Sequence, residues 1–132
     1  MHNTWVLVYI GEADCDKVCA ENLYKMRQSR LAQRGEHLRI KRLYISTSGK
    51  AQSSLNKVLK EHPGLEVVSG NSSEINSVLA QFKLENKAEA RSANRLYLVD
   101  PFGNLMMSYD NGFDAKGLIE DLTILLKISR IG

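Results

Sequence analysis

The sequence predicts an α/β fold in which a central mixed sheet is flanked by helices and followed by a late antiparallel hairpin and a C-terminal helix. Apolar runs typical of strands alternate with segments whose apolar residues recur at helical spacing. Two late runs, 95–100 and 105–109, are joined by a short segment holding Pro101 and Gly103, which indicates a hairpin. The resulting order, β-α-β-α-β-α-β-β-α, implies parallel pairing early in the chain and antiparallel pairing late.

The first strand and helix contain both cysteines of the chain at their junction. Trp5 to Ile10 is an aliphatic and aromatic run typical of a buried strand. The apolar spacing then becomes helical and is predicted to continue to about Arg34, stopping near Gly35. At 100° per residue, four side chains share the buried stripe of this helix: Cys15, Cys19, Leu23 and Met26.

The second strand is predicted over Leu38 to Ile45, where alternation gives way to a continuous apolar run. Its basic residues, Arg39, Lys41 and Arg42, are interpreted as a solvated face and edge of the sheet. A net charge of +3 gives no electrostatic case for nucleic-acid binding.

The middle of the chain is predicted to hold two helices with a short strand, 65–68, between them. Pro63-Gly64 ends the first helix, and a turn at 70–73 caps the second, with Glu74 in reach of a reciprocal cap. The two apolar stripes comprise Leu55, Val58 and Leu59, and then Ile75, Val78, Leu79 and Phe82. Residues 83–94 are polar and show no period.

The last helix follows Asp114, which can cap it. It carries the strongest amphipathic stripe of the chain: Leu118, Ile119, Leu122, Leu125 and Leu126. With 132 residues, the chain is expected to form a single domain, 1–132.

The spacing of Cys15 and Cys19 limits their chemistry. Residues four apart on a helix rise roughly 6 Å, near the upper end of the Cα separation that a disulfide tolerates, so a reversible disulfide is feasible. Two thiolates can also hold one Cu(I) ion, whereas zinc would need two further ligands from a Cys/His cluster that the sequence lacks. A structural disulfide or two small buried apolar side chains are the alternatives. Three neighbouring carboxylates would favour a bound cation and disfavour a thiolate: Glu12, Asp14 and Asp16.

The strand, the Cys15-Asp16-Lys17-Val18-Cys19 segment that opens a helix, and the late hairpin with its Asp100-Pro101-x-Gly103 turn together resemble the Sco/SenC proteins. Those are thioredoxin-fold copper proteins that assist cytochrome c oxidase assembly. The resemblance implies a thioredoxin-like fold, Cu(I) as the cofactor, and Cys15 and Cys19 as its ligands. The family's third ligand, a histidine before the late hairpin, has no counterpart in segment 89–95, and Ala20 replaces the proline that usually follows the second cysteine.

By this resemblance, the protein is an accessory factor of cytochrome c oxidase copper-site assembly. It would act through Cys15 and Cys19, by binding and transferring Cu(I) or by reducing a disulfide of a partner. The expected partner is an oxidase subunit or a copper chaperone, with no nucleic acid involved, and a monomer is expected. The alternatives are a thiol-disulfide oxidoreductase unrelated to copper, with the same two catalytic cysteines, and a non-catalytic binding module.

The family resemblance also predicts a location outside the cytoplasmic membrane, on its periplasmic side. The sequence has no apolar run of membrane-spanning length and no signal-peptide pattern. We therefore expect these residues to be the soluble part of a longer, membrane-anchored parent.

The remaining candidate residues receive weaker interpretations. The histidines are interpreted as terminal or exposed turn residues rather than ligands: His2, His37 and His62. Neither proline, Pro63 or Pro101, occupies the loop in which thioredoxin-like oxidoreductases carry a cis-proline. Phe102 and the exposed side of the cysteine loop are a candidate docking patch.

Overall fold

The computed structural model describes residues 4–11, 17–46, 52–69, 72–82 and 94–131. Its strands are β1 (Trp5–Gly11), β2 (Ile40–Ser46), β3 (Leu65–Ser69), β4 (Arg95–Val99) and β5 (Leu105–Tyr109). Its helices are α1 (Lys17–Leu31), α2 (Gln52–Glu61), α3 (Ser72–Gln81) and α4 (Ala115–Ile131), and a 3-10 turn spans His37–Arg39.

The strands form one mixed sheet in the order β3-β2-β1-β4-β5, with β1 at its centre. β1 runs parallel to β2, and β2 runs parallel to β3. β4 is antiparallel to both β1 and β5, so the predicted late hairpin is confirmed. The mixed sheet with flanking helices and a C-terminal helix confirms the predicted fold class.

Both faces of the central strand are covered, which explains why its sequence is continuously apolar. Trp5, Leu7 and Tyr9 face a core completed by α1, α2 and α4. Val8 and Ile10 face a second core, to which α3 contributes Ile75 and Leu79. On α2, Val58 is buried whereas Leu59 is 45% exposed, so the predicted stripe is wrong at Leu59; the Leu55 side chain lies outside the described residues.

The connection between α1 and β2 is longer than predicted. The helix ends at Leu31, and the backbone N–H of Gln33 bonds the carbonyl three residues back at Arg30, as in a tightened last turn. The 3-10 turn then occupies the predicted start of the strand. Arg39 fixes this turn by donating to the Glu36 carboxylate and the Leu126 carbonyl.

The basic residues of β2 do not form a solvated face as predicted. Lys41 is exposed, but Arg42 is buried on the same sheet face as Ile40 and Tyr44. Its Nη2 donates a hydrogen bond to the backbone carbonyl of Pro63, in the turn between α2 and β3. That acceptor gives a buried guanidinium a partner, because buried polar groups are rarely left unpaired.

The turn between β4 and β5 is organised by Asp100. Its Oδ1 accepts hydrogen bonds from the backbone N–H groups of Phe102, at 2.9 Å, and Asn104, at 2.8 Å. Gly103 has φ +84°, a left-handed conformation that glycine adopts without strain. Asp114 caps α4 as predicted, by accepting the N–H of Lys116 at 3.1 Å.

Candidate functional site

Cys19 lies in the first turn of α1, just after the point where β1 ends. Its side chain is 2% exposed and shares a core with Leu23 and Met26, which confirms the predicted stripe for these three residues. The sulfur of Cys19 is disulfide-bonded. The other predicted site residue, Cys15, lies outside the described residues, as do Glu12, Asp14 and Asp16.

The end of β1 meets two other strand ends at this edge of the sheet. Gly11 pairs with Ser46 at the end of β2, and Ile10 pairs with Arg95 at the start of β4. A Cβ atom on Gly11 would lie 3.2 Å from Oδ1 of Asn94, so glycine allows the segment before β4 to approach β1 closely. Ser46 is buried, and within the described part of the chain its hydroxyl has no hydrogen-bond partner.

Asn22, one helical turn beyond Cys19, is a buried polar residue that the sequence reasoning missed. Its Nδ2 donates to the Tyr9 hydroxyl at 3.3 Å and to Oδ1 of Asn111 at 3.1 Å. The Tyr9 ring packs against Tyr44 with centroids 5.7 Å apart. The sequence does contain a signal for the burial of Asn22, because a position three residues after Cys19 falls on the same buried helical stripe.

The described histidines differ from one another in their surroundings. His37 precedes β2, whose first residue pairs with Trp5, so it lies at the opposite end of the sheet from Gly11. His62 is 6% exposed, so its interpretation as an exposed turn residue is wrong. Burial, together with the charges of Arg27 and Arg42, lowers the pKa of His62. His2 lies outside the described residues.

The predicted docking patch joins Phe102 to the cysteine loop, which lies outside the described residues. Phe102 itself lies at the opposite end of the sheet from Gly11, the last described residue before that loop. β4 is antiparallel to β1: Arg95 pairs with Ile10, and Val99 pairs with Val6. The turn after β4 therefore lies at the Trp5 end of the sheet, whereas α1 follows the Gly11 end. Phe102 is 86% exposed at that far end.

Within the ranges that the structure describes, no three His, Cys, Asp or Glu side chains are grouped so that they could hold a metal ion. Two thiolates from Cys15 and Cys19 would still suit Cu(I), which accepts few soft ligands. In the same ranges, the helices lack the combination of length and apolar character that crossing a bilayer requires.

A family model described as transmembrane-like, thioredoxin-like, C-terminal domain matches residues 5–129. The chain belongs to this family. The thioredoxin-like domain matches none of the curated proteins at the level of sequence.

Three solved structures show how the fold of this thioredoxin-like domain compares. Arabidopsis thaliana ScoI with copper bound has a TM-score of 0.72 at 20% identity, covering 98% of this chain and 86% of that one. BsSco, a Sco-family cytochrome c oxidase assembly protein with an identified disulfide switch, scores 0.64 at 19% identity, covering 94% and 81%. The thioredoxin domain of a Bacteroides vulgatus thiol-disulfide oxidoreductase scores 0.63 at 17% identity, covering 95% and 81%. The predicted thioredoxin-like fold and the structural resemblance to Sco proteins are both confirmed.

Proposed function

We propose that Cys15 and Cys19 form the working site of a Sco-like accessory protein for copper-site assembly in cytochrome c oxidase. One observation carries the proposal: Cys19 is disulfide-bonded and buried in the first turn of α1, directly after β1. The chain has one other cysteine, four residues earlier. A pair so placed can cycle between a disulfide and a dithiol.

In the reduced state, the two thiolates would bind one Cu(I) ion as cargo. Soft sulfur ligands select Cu(I), and two of them suffice for it. Transfer to a partner would proceed by exchange, in which each incoming thiolate replaces one of the two cysteine sulfurs. The copper keeps its oxidation state throughout, so this step needs no reductant.

The same dithiol could instead reduce a disulfide of the partner. We assign the attack to Cys15, because Cys19 is 2% exposed. The Cys15 thiolate forms a mixed disulfide with one partner sulfur and releases the other, which takes up a proton. The Cys19 thiolate then attacks Cys15, which frees the second partner sulfur as a thiolate. Two electrons pass to the partner, and Cys15 and Cys19 become a disulfide.

The proposal includes a partner and a location. The partner would be a cytochrome oxidase subunit or a copper chaperone, and the protein would work on the periplasmic side of the cytoplasmic membrane. Both the partner and the location follow from the Sco-like role and depend on it.

A thiol-disulfide oxidoreductase unrelated to copper is the second candidate. The similarity to the Bacteroides vulgatus oxidoreductase favours it. In this candidate the cysteines exchange electrons with a protein partner as described above, and no metal is carried.

A Cu(I) competition titration of the fully reduced protein against a coloured chelator separates the two candidates. The matched variants are Cys15→Ser and Cys19→Ser, each checked for folding by circular dichroism. The copper proposal expects one Cu(I) per chain in the wild type and a loss of binding in both variants. Equal binding in wild type and variants would reject it, and turnover of a dithiol substrate would then support the oxidoreductase. If the protein shows neither copper binding nor turnover, it is a binding module with a structural disulfide.

A further inference from the structure

Three arginines that face one another on α1 and β2 form no ion pair among the described side chains. Instead, each donates to a backbone carbonyl. Arg27 bonds the carbonyl of Glu61 at 2.7 Å, Arg30 bonds that of Ile40 at 2.7 Å, and Arg42 bonds that of Pro63. The pKa of Arg42 is lowered by burial first and then by the charges of Arg30 and Arg27. The side of the domain between α1 and the α2–β3 turn therefore carries positive charge that no carboxylate of the described residues pairs with.

A cleft of about 390 Å³ opens onto this charge. Its lining residues are Ala20, Tyr24, Arg27, Glu61 and His62. His62 is buried in this lining, and among the described residues its Nδ1 has no hydrogen-bond partner.

We propose that this cleft binds an oxyanion, a phosphate or carboxylate group of a small molecule, with Arg27 as its charged donor and His62 as its neutral donor. A guanidinium has five N–H groups in a rigid fork that matches both oxyanions, and one of those of Arg27 is used by the Glu61 carbonyl. Arg42 supports the site from β2 without having to contact the ligand.

Tyr24 supplies the wall of this anion cleft. Its ring lies 5.5 Å from the guanidinium carbon of Arg27, which restricts the orientation of that side chain. The Tyr24 hydroxyl accepts a hydrogen bond from Gln28 at 3.0 Å, which leaves its own proton free to donate. Glu61 is the one carboxylate among the described lining residues. Its negative charge opposes an anion, so removing that charge should strengthen binding.

The test is a two-dimensional amide NMR titration of the full chain at pH 7 and constant ionic strength. The probes are inorganic phosphate in one series and succinate in another, so that a preference identifies which oxyanion the cleft takes. We expect shifts at residues 20–27 and 61–64 that saturate. Loss of one charged hydrogen-bond pair is expected to weaken binding about tenfold in Arg27→Gln, whereas Glu61→Gln should tighten it.

Arg34→Gln is the matched control, because it removes the same charge from an exposed position in the turn after α1. Binding in Arg34→Gln should equal the wild type. If Arg27→Gln and Arg34→Gln weaken binding equally, or if Glu61→Gln has no effect, the cleft is not the site and the proposal is wrong.

A second readout is independent of mutagenesis. His62 is faced by Arg27 on α1, Arg42 on β2 and the neighbouring Glu61 at the end of α2. A bound anion favours the imidazolium, so saturating phosphate should raise the pKa of His62, followed through its ring proton shifts. An unchanged His62 titration would contradict the proposal. The site does not depend on the cysteines, and Cys19→Ser should bind the oxyanion as the wild type does.

Discussion

The side-chain amide of Asn22 on α1 donates a hydrogen bond to the hydroxyl of Tyr9 on β1, 3.3 Å away, inside the core. Asn22 stands one turn beyond Cys19, and Tyr9 stands two residues before the end of β1. This bond therefore links the helix that carries Cys19 to the strand that precedes the cysteine segment. A second bond from the same amide to Asn111 extends the link to the loop before α4.

Replacement of Asn22 by alanine should lower the free energy of unfolding by about 1–3 kcal/mol. The substitution removes two hydrogen bonds of a buried amide, to Tyr9 and to Asn111, each worth about 0.5–1.5 kcal/mol. Urea unfolding followed by circular dichroism measures the change. Asn56→Ala on the exposed side of α2 is the control and should stay within about 0.5 kcal/mol of the wild type. Equal values for the two variants would contradict the buried link.

His62 should make the domain less stable in mild acid. Its folded pKa lies below the ordinary value of 6.5. The unfolded chain therefore binds the proton first as the pH falls, and stability declines through and below pH 6.5. Above that value the contribution is fully present. Unfolding free energies measured between pH 7.5 and 5 should fall more steeply in wild type than in His62→Gln.

The control for this slope is His37→Gln, which changes a histidine in the 3-10 turn at the other end of the sheet. It should retain the wild-type pH dependence. A wild-type slope in His62→Gln would mean that other groups cause the loss of stability in acid.

Gly64 and Gly103 form a matched pair for testing the turn that supports Arg42. Both have left-handed φ, +86° and +84°, but a Cβ on Gly64 would also lie 3.1 Å from Nη2 of Arg42, whereas one on Gly103 meets nothing within 4 Å. Alanine at Gly103 should cost about 1–2 kcal/mol from backbone strain alone. Alanine at Gly64 should cost more, by thermal or urea unfolding. Equal losses would show that Arg42 can move aside without penalty.

Tyr109 should contribute to stability up to about pH 10 and lose that contribution in stronger alkali. Its hydroxyl donates to Oδ2 of Asp121 at 2.7 Å, and burial, followed by that carboxylate, raises its pKa well above the ordinary 10.0. The unfolded chain then loses its proton first as the pH rises, so stability falls above pH 10. Tyr109→Phe should cost about 1 kcal/mol at pH 8.

Absorbance at 295 nm, which follows tyrosine ionisation, checks the alkaline behaviour. In Tyr109→Phe one tyrosine ionisation step above pH 10 should disappear, and stability should fall less steeply above pH 10. Tyr24→Phe removes a half-exposed hydroxyl and should leave that step in place. If the step is lost in Tyr24→Phe instead, Tyr109 is not the residue that causes it.

Much of the fold could be predicted because its signals are local. The continuous apolar run of β1, the stripe of Cys19, Leu23 and Met26, and the hairpin turn around Asp100 each depend on residues close in sequence. The observed elements follow these patterns closely. The end of α1 and the start of β2 differ from the predicted bounds, because Arg39 secures the intervening turn through the carbonyl of Leu126, a residue far along the chain.

The polar interior could not be predicted in the same way. Arg42 and His62 are both hydrophilic, which predicts exposure, but the α2–β3 turn supplies the carbonyl of Pro63 to Arg42, and His62 in the same turn is buried. Such partners are set by tertiary contact and leave no periodic pattern in the sequence. The position of Phe102 likewise follows from a tertiary contact, the antiparallel pairing of β4 with β1.

The turn between β4 and β5 and the Gly11 end of β1 lie at opposite ends of the sheet, which has a practical consequence for tethering the protein. β1 has seven residues, so the two ends of the sheet are about 20 Å apart. A dye or a surface linker attached at position 102, whose side chain points into solvent, would hold the domain by its far end. Such an immobilised molecule would present the Gly11 end of the sheet outward, accessible to any macromolecule passed over the surface.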